Sequence, residues 1–218
     1  AHMGGFGSIE GVAAAKAEIV AGLRPDGTAI LNADDARAAA MAELAPARVL
    51  TFSSQGRAAD LRTENVVLDA AARAAFDLHL PGLDEPRRVQ LAVAGAHNVA
   101  NALAAAGLAL AAGLAPELIA ERLGSVSIES PHRMDVSELG GDLLLIDDSY
   151  NANIDSMTAA LAVLPALAGD RRRVVVVSEM LELGESSAAD HARTGELAAQ
   201  AGAAMLIGIG STQEALEA

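Results

Sequence analysis

The densest polar chemistry in the chain is the run Asp147-Asp148-Ser149-Tyr150-Asn151-Ala152-Asn153. It directly follows the apolar stretch Leu143–Ile146, which places it at the carboxyl end of an expected strand, the edge where open α/β sheets bind ligands. A carboxylate there can accept hydrogen bonds from ribose hydroxyls, and asparagine amides can meet the edge of a base. The plainer alternative is a polar turn full of Asx caps. Two Asp and two Asn in one run after a buried strand weaken that alternative without removing it.

A second set is Gly95-Ala96-His97-Asn98-Val99-Ala100-Asn101-Ala102. His97 and Asn101 are four apart and Asn98 and Asn101 three apart, so on a helix they share a face. That face would lie near the N-terminus, with its free N–H groups and positive dipole end. A surface His97 beside a capping Asn98 is, on physical grounds alone, the commoner arrangement. A third set is His2 with Lys16, the lysine lying among small residues in Ala13-Ala14-Ala15-Lys16-Ala17. A neutral lysine amine can take up CO2 as a carbamate, which behaves as a carboxylate and can bind Mg2+. The bland reading is a solvated lysine paired with Glu10 or Asp26.

Two further segments carry charge at useful places. Val177-Ser178-Glu179-Met180-Leu181-Glu182-Leu183-Gly184-Glu185 puts carboxylates after an apolar strand, where they could orient an amine. Read blandly, it is an acidic first helical turn. In Ser130-Pro131-His132-Arg133-Met134, Arg133 could clamp a phosphate. A single arginine at a domain boundary is more often a surface ion-pair partner.

The elements that must position these residues are legible from periodicity and punctuation. Helices are expected over Ile9–Ala21, from Asp35 to Leu44, Asn98–Ala112, Pro116–Leu123, Ser156–Leu167 and Ala188–Ala201. Strands are expected at Thr28–Asn32, Arg48–Ser53, Asp135–Leu139, Leu143–Asp147, Arg173–Val177 and Met205–Ile209. Asn65–Asp69, Ala75–Leu80 and Arg87–Val93 suggest a small, mostly antiparallel sheet, and Arg173–Val177 a buried strand of β-branched residues. The alternation of β and α implies parallel sheets and an α/β class. Gly124 to Pro131 reads as a linker, dividing the chain into residues 1–124 and 125–218.

Composition bounds the rest. Hydrophobic residues make up 52% of the 218, but aromatics only 2%, so the core must be built from Ala, Leu, Val and Ile. A formal charge of −14 argues against a nucleic-acid partner or an anionic membrane surface. With no cysteine, disulfides, thiolate catalysis and Cys-ligated zinc are excluded. No apolar run reaches the ~20 residues of a membrane helix.

Taken together and in order, these motifs resemble the ATP-dependent Mur ligases. The matching residues are His2-Met3 with Phe6-Gly7-Ser8, Ala15-Lys16-Ala17-Glu18-Ile19, Asn32-Ala33-Asp34-Asp35 and His97 to Ala102. Asp147 to Asn153 with Ser156-Met157, and Glu179-Met180 with Glu182-Leu183-Gly184, complete the series. Phe6-Gly7-Ser8 points to the type that joins D-alanyl-D-alanine to UDP-N-acetylmuramoyl-tripeptide.

The resemblance implies part of a P-loop-type central ATPase domain (residues 1–124) followed by a Rossmann-like C-terminal domain (residues 125–218). It implies a cytoplasmic, monomeric enzyme of peptidoglycan precursor synthesis, using ATP and Mg2+ and acting through an acyl phosphate, with no membrane insertion. By this resemblance His2 and a carbamylated Lys16 hold a metal, and His97, Asn98 and Asn101 contact the adenine end of ATP. Arg133 reaches a phosphate, Asp147 the ribose, and Tyr150 and Asn151 the same nucleotide edge. Asn153 and Glu179 lie on the substrate side.

Three positions depart from the family pattern: His132 where Gly is usual before the Arg, Ile154 where Pro is usual, and Ser178-Glu179 for Gly-Asp. No G-x-x-x-x-G-K-[ST] motif occurs in these residues. The chain is therefore expected to begin after the phosphate loop, to stop inside the last domain, and not to turn over ATP alone. Other readings are a different Mur ligase, a folylpolyglutamate synthase, or a non-catalytic module that reuses the fold.

Overall fold

The computed structural model describes residues 8–126, 131–210 and 217. The described residues fall into two compact units, 9–69 with 73–126 in one and 8, 70–72, 131–210 and 217 in the other.

In the first unit, helix α1 (Ile9–Ala21) leads to strand β1 (Thr28–Asn32), short helix α2 (Ala36–Ala40) with a 3₁₀ turn over Met41–Leu44, and strand β2 (Arg48–Ser53). Strands β3 (Leu61–Leu68), β4 (Arg73–His79) and β5 (Arg87–Ala94) follow, then helices α3 (Asn98–Ala111) and α4 (Pro116–Leu123). The small antiparallel sheet expected from the sequence is found in β3, β4 and β5, and it is continuous with β1 and β2. All five strands form one sheet in the order β1-β2-β3-β4-β5. The join is the short parallel pairing of Phe52 with Leu61 and Ser53 with Arg62, after which β3, β4 and β5 run antiparallel.

Helices cover both faces of the parallel part. Val20 of α1 packs with Ala29 and Leu31 of β1, while Leu103 and Ala106 of α3 join Leu50, Phe52, Leu61, Phe76 and Leu78 in the larger core. α3 lies close because residue 107 is glycine. A Cβ there would come within 2.7 Å of Ile30 Cγ2. With so few aromatic side chains in the sequence, Phe52 and Phe76 are both committed to this core.

In the second unit, strands β6 (Asp135–Gly140) and β7 (Leu143–Asp147) form an antiparallel hairpin. Its turn is glycine-rich for a reason: Gly140, Gly141 and Asp142 all have positive φ, at 84°, 58° and 65°. Helix α5 (Ile154–Ala168), strand β8 (Val174–Ser178), a 3₁₀ turn over Gly184–Ser186, helix α6 (Ser187–Gln200) and strand β9 (Met205–Ile209) follow. β8 and β9 pair in parallel in full register. Leu161 of α5 and Leu197, Ala198 and Ala201 near the end of α6 bury Val175 and Val177. The strand expected to be buried is buried on one face, at Val175 and Val177, while Val174 and Val176 are exposed.

No helix among the described residues is long and apolar enough to cross a membrane. Leu103, fully buried, and Leu108, 61% exposed, lie on the same helix and give an internal control. Leu103→Ala is expected to cost ~2–5 kcal/mol in denaturant unfolding, and Leu108→Ala within about 0.5 kcal/mol. Equal losses would contradict the placement of this core.

Candidate functional site

The polar run after β7 is organised by two carboxylates. Asp147 Oδ1 accepts from the Ser149 amide at 3.1 Å and hydroxyl at 2.7 Å, and Oδ2 lies 2.7 Å from His132 Nδ1. Asp148 Oδ1 accepts from the Met134 amide at 3.0 Å, and the Tyr150 amide donates to the His132 carbonyl at 3.0 Å. The segment before β6 and the segment after β7 are thus stitched together at the open end of the hairpin. His132 and Met134 are held at φ of 62° and 49°, the left-handed region that favours glycine. These bonds hold that conformation in place. Arg133 between them stacks on Tyr150, its guanidinium 4.1 Å from the ring centroid. Such a contact is worth ~0.5–1 kcal/mol at an exposed site. It leaves the edge of the planar cation, where its N–H donors lie, open to an anion.

Four of the expected nucleotide residues therefore fall in one stretch. Arg133, Asp147 and Tyr150 are connected as described, and Asn151 is exposed beside them with its Oδ1 accepting from the Ala152 amide at 2.9 Å. Among the described residues β7 pairs with β6 alone, so the run follows a hairpin strand and not a strand of a parallel sheet. Asn153 caps α5: its side chain accepts from the Ser156 amide while the Ser156 hydroxyl accepts from the Asn153 amide.

The His97 set is ordered differently from a simple cap. His97 occupies the N-cap position of α3 without a side-chain cap bond, and Asn98 Nδ2 donates to the Ala94 carbonyl at 2.7 Å. The Ala94 carbonyl needs a donor, so it fixes the Asn98 amide with its oxygen toward Asn101, whose Nδ2 donates to it at 3.0 Å. The capping role expected for Asn98 is replaced by a tie to the end of β5. Gly95 is required here. Its φ is 106°, and a Cβ would come within 2.5 Å of the exposed His97 imidazole.

Lys16 is exposed on α1. The partners expected for it are taken, because Glu10 pairs with Arg37 at 2.8 Å and Asp26 with Arg24 at 3.1 Å. His2 lies outside the described residues, as do Met3, Phe6 and Gly7. No group of three His, Cys, Asp or Glu among the described residues is placed to hold a metal ion. A single exposed amine is no metal site, so these residues do not by themselves fit Mg2+. Glu179 is exposed directly after β8, and residues 179–183 are not helical, so of the three glutamates only Glu185 lies in a helical first turn, that of the 3₁₀ turn Gly184–Ser186.

Sequence reasoning missed three partners. It treated His132 only as a departure, although this residue is the neighbour of Asp147. It quoted Asp34 without a role. The Asp34 side chain, 4% exposed, accepts from the Ser53 hydroxyl at 2.6 Å and from the Ser54 amide at 2.8 Å, clipping the ends of β1 and β2 together. Burial pushes its carboxyl up, and the bonds from Ser53 and Ser54 with Arg57 nearby outweigh that, so it titrates below the usual range. His191 was not singled out. Its spacing from Thr194 and Ala198, all buried on α6, was the available signal.

The model of the Mur ligase middle domain matches residues 1–109, and that of the Mur ligase glutamate ligase domain matches residues 132–218. A Mycobacterium bovis UDP-N-acetylmuramoyl-tripeptide–D-alanyl-D-alanine ligase is 42% identical over 97% of this chain, which spans 42% of that relative's length. The crystal structure of MurF from Acinetobacter baumannii superposes with a TM-score of 0.85 at 34% identity, covering 100% of this chain and 46% of that one. The MurF ligase of Thermotoga maritima in complex with ADP shares the fold, with a TM-score of 0.74 at 19% identity over 100% of this chain and 58% of that one.

The Asp147 carboxyl is held down from its ordinary 3.8 to about 2, first by the bond from His132 and then by the Ser149 hydroxyl and amide. A folded value below the unfolded one means that this network's stabilisation is present above pH 3.8 and is lost as pH falls through about 2. An NMR titration of the Asp147 carboxyl carbon is expected to give a midpoint of about 2, moving up toward 3.8 in His132→Ala. A midpoint that ignores the substitution would remove His132 from the network.

Proposed function

The chain belongs to the Mur ligase family, and on that premise we propose that it is part of an ATP-dependent ligase joining UDP-N-acetylmuramoyl-tripeptide to D-alanyl-D-alanine. On this reading residues 1–124 are the second half of the central ATP-binding domain and residues 125–218 belong to the C-terminal ligase domain. The observation that carries the reading is the joined set Arg133–Tyr150 and His132–Asp147–Ser149 at the mouth of the β6–β7 hairpin. It lies in a chain 42% identical over nearly its whole length to a D-alanyl-D-alanine ligase.

The chemistry begins with transfer of the γ-phosphoryl group of ATP to the tripeptide carboxylate, releasing ADP and leaving an acyl phosphate. The amine of D-alanyl-D-alanine then attacks the acyl carbon. The C–O bond to phosphate breaks, the amine loses a proton, and an amide and inorganic phosphate result. Bringing an anionic carboxylate to an anionic phosphate is the electrostatic problem, and cations with fixed geometry lower its cost.

Arg133, its plane set by Tyr150, is assigned to a phosphate. Asp147 is assigned to the ribose hydroxyls. Ionised and already accepting three hydrogen bonds, it has about one of its roughly four lone-pair sites left for a ligand. His97, Asn98, Asn101 and Asn151 are assigned to the base side of the nucleotide, and Asn153 and Glu179 to the substrate side. His2 and Lys16 as its carbamate would hold Mg2+ only together with further ligands, and the ion would offset the negative charge brought together in the first step. The same reading makes the enzyme a cytoplasmic monomer that supplies cell-wall precursor for cell shape and division.

The test is ligation by the full-length protein. ATP consumption is expected to require both the UDP-linked tripeptide and D-alanyl-D-alanine, and Asp147→Ala is expected to raise KM for ATP ~10-fold, the loss of about one hydrogen bond to a charged group. Efficient use of a single amino acid in place of the dipeptide would overturn the assignment to this type of ligase.

A further inference from the structure

The imidazole of His191 on α6 is 3% exposed. Its Nδ1 lies 2.7 Å from the Ser187 carbonyl oxygen, one turn back on the same helix, and its Nε2 lies 2.9 Å from the Met180 backbone nitrogen. These two partners fix the proton. A carbonyl oxygen can only accept, so Nδ1 carries the hydrogen. A backbone amide can only donate, so Nε2 presents a lone pair. The Ser187 hydroxyl, 3.3 Å from Nδ1, is a longer contact on the same side. The ring is therefore neutral and in one tautomer, because a second proton at Nε2 would face the Met180 N–H.

The anchored residue matters. Met180 is 4% exposed and follows Glu179, which is exposed. Residues 179–183 lie between the end of β8 and the 3₁₀ turn, outside any helix or strand ladder. A chain leaving a strand in this way has no periodic bonding of its own to set its path. Its amide at 180 is instead held by a side chain from the helix that follows. At its far end the Ser186 hydroxyl has one proton for two acceptors, the Asp190 carboxylate of α6 at 2.8 Å and the Leu183 carbonyl at 3.0 Å.

We propose that His191, locked as the neutral Nδ1–H tautomer, is the positioning residue for the segment after β8, and through it for Glu179. The part concerning Glu179 rests on the ligase reading above, while the anchor itself does not. His191 touches no reacting atom in this account. It sets where the adjoining backbone, and hence the Glu179 carboxylate on the amine-substrate side, is held.

Two measurements separate these parts. In the 218-residue protein, ¹⁵N–¹H correlation of the imidazole is expected to show His191 protonated at Nδ1 and unprotonated at Nε2. Hydrogen exchange at the Met180 amide should quicken ~10-fold or more in His191→Leu, as for a lost buried hydrogen bond of about 1.4 kcal/mol. It should stay within about 3-fold of wild type in His191→Gln, whose amide oxygen can still accept. In the full-length ligase, His191→Leu is expected to raise KM for D-alanyl-D-alanine ~10-fold while kcat and KM for ATP change less than about 3-fold, with His191→Gln restoring most of it.

A wild-type His191 protonated at Nε2, or Met180 exchange unchanged in the leucine variant, overturns the anchor. If the leucine variant does not fold, the wild-type tautomer and the glutamine variant decide the same point. An intact anchor with an unchanged dipeptide KM overturns the link to Glu179. A wild-type enzyme that does not ligate the dipeptide at all overturns the ligase reading and that link with it, and leaves the exchange result to decide the anchor.

Discussion

One ionised carboxylate at the end of β7 holds the most suggestive part of this molecule in shape. Asp147 gathers a histidine from the segment before β6 and a serine amide and hydroxyl from the segment after β7. In doing so it closes the mouth of a hairpin whose two strands are otherwise joined at the far end by a glycine turn. Arg133 sits between two residues with positive φ, a local conformation that the flanking bonds to Asp147 and Asp148 maintain. The direction of the arginine, its stacking on Tyr150 and the remaining acceptor capacity of Asp147 all follow from that one network.

The same logic recurs elsewhere: a polar side chain at the end of a strand fixes a neighbouring segment. Asp34 clips the end of β1 to the segment after β2. Asn98 ties the start of α3 to the end of β5 and orients Asn101. His191 fastens the segment after β8. In each case the residue that orders the segment is spent on backbone or neighbouring groups. His97, Asn151 and Glu179 beside them are exposed.

Much of this was legible in sequence, and what was not has physical causes. Periodic helices with clear end signals such as α3 and α4, and the hairpin with its Gly140-Gly141 turn, are local features and read well. The continuity of the five-stranded sheet rests on two residue pairs between β2 and β3, a non-local register that composition does not encode. The one-sided burial of β8 depends on what covers each face, which alternation cannot reveal in a run of four valines. Pairing partners were misjudged for a different reason. Glu10 and Asp26 were plausible for Lys16 by spacing, but arginines at 37 and 24 reach them with better geometry. The roles of Asp147, Arg133 and Tyr150 as a set were suggested by motif order, whereas the contribution of His132 required knowing that positions 15 residues apart meet across a hairpin.

The central claim is that an acyl phosphate of the tripeptide is captured by D-alanyl-D-alanine. Oxygen isotope transfer tests it most directly. The full-length protein would be given ATP, D-alanyl-D-alanine and UDP-N-acetylmuramoyl-tripeptide labelled with ¹⁸O in the carboxylate that is activated. Activation through an acyl phosphate sends one labelled oxygen into the released inorganic phosphate and keeps the other in the new amide carbonyl. Phosphate carrying no label from the carboxylate, or released without dependence on D-alanyl-D-alanine, would contradict it.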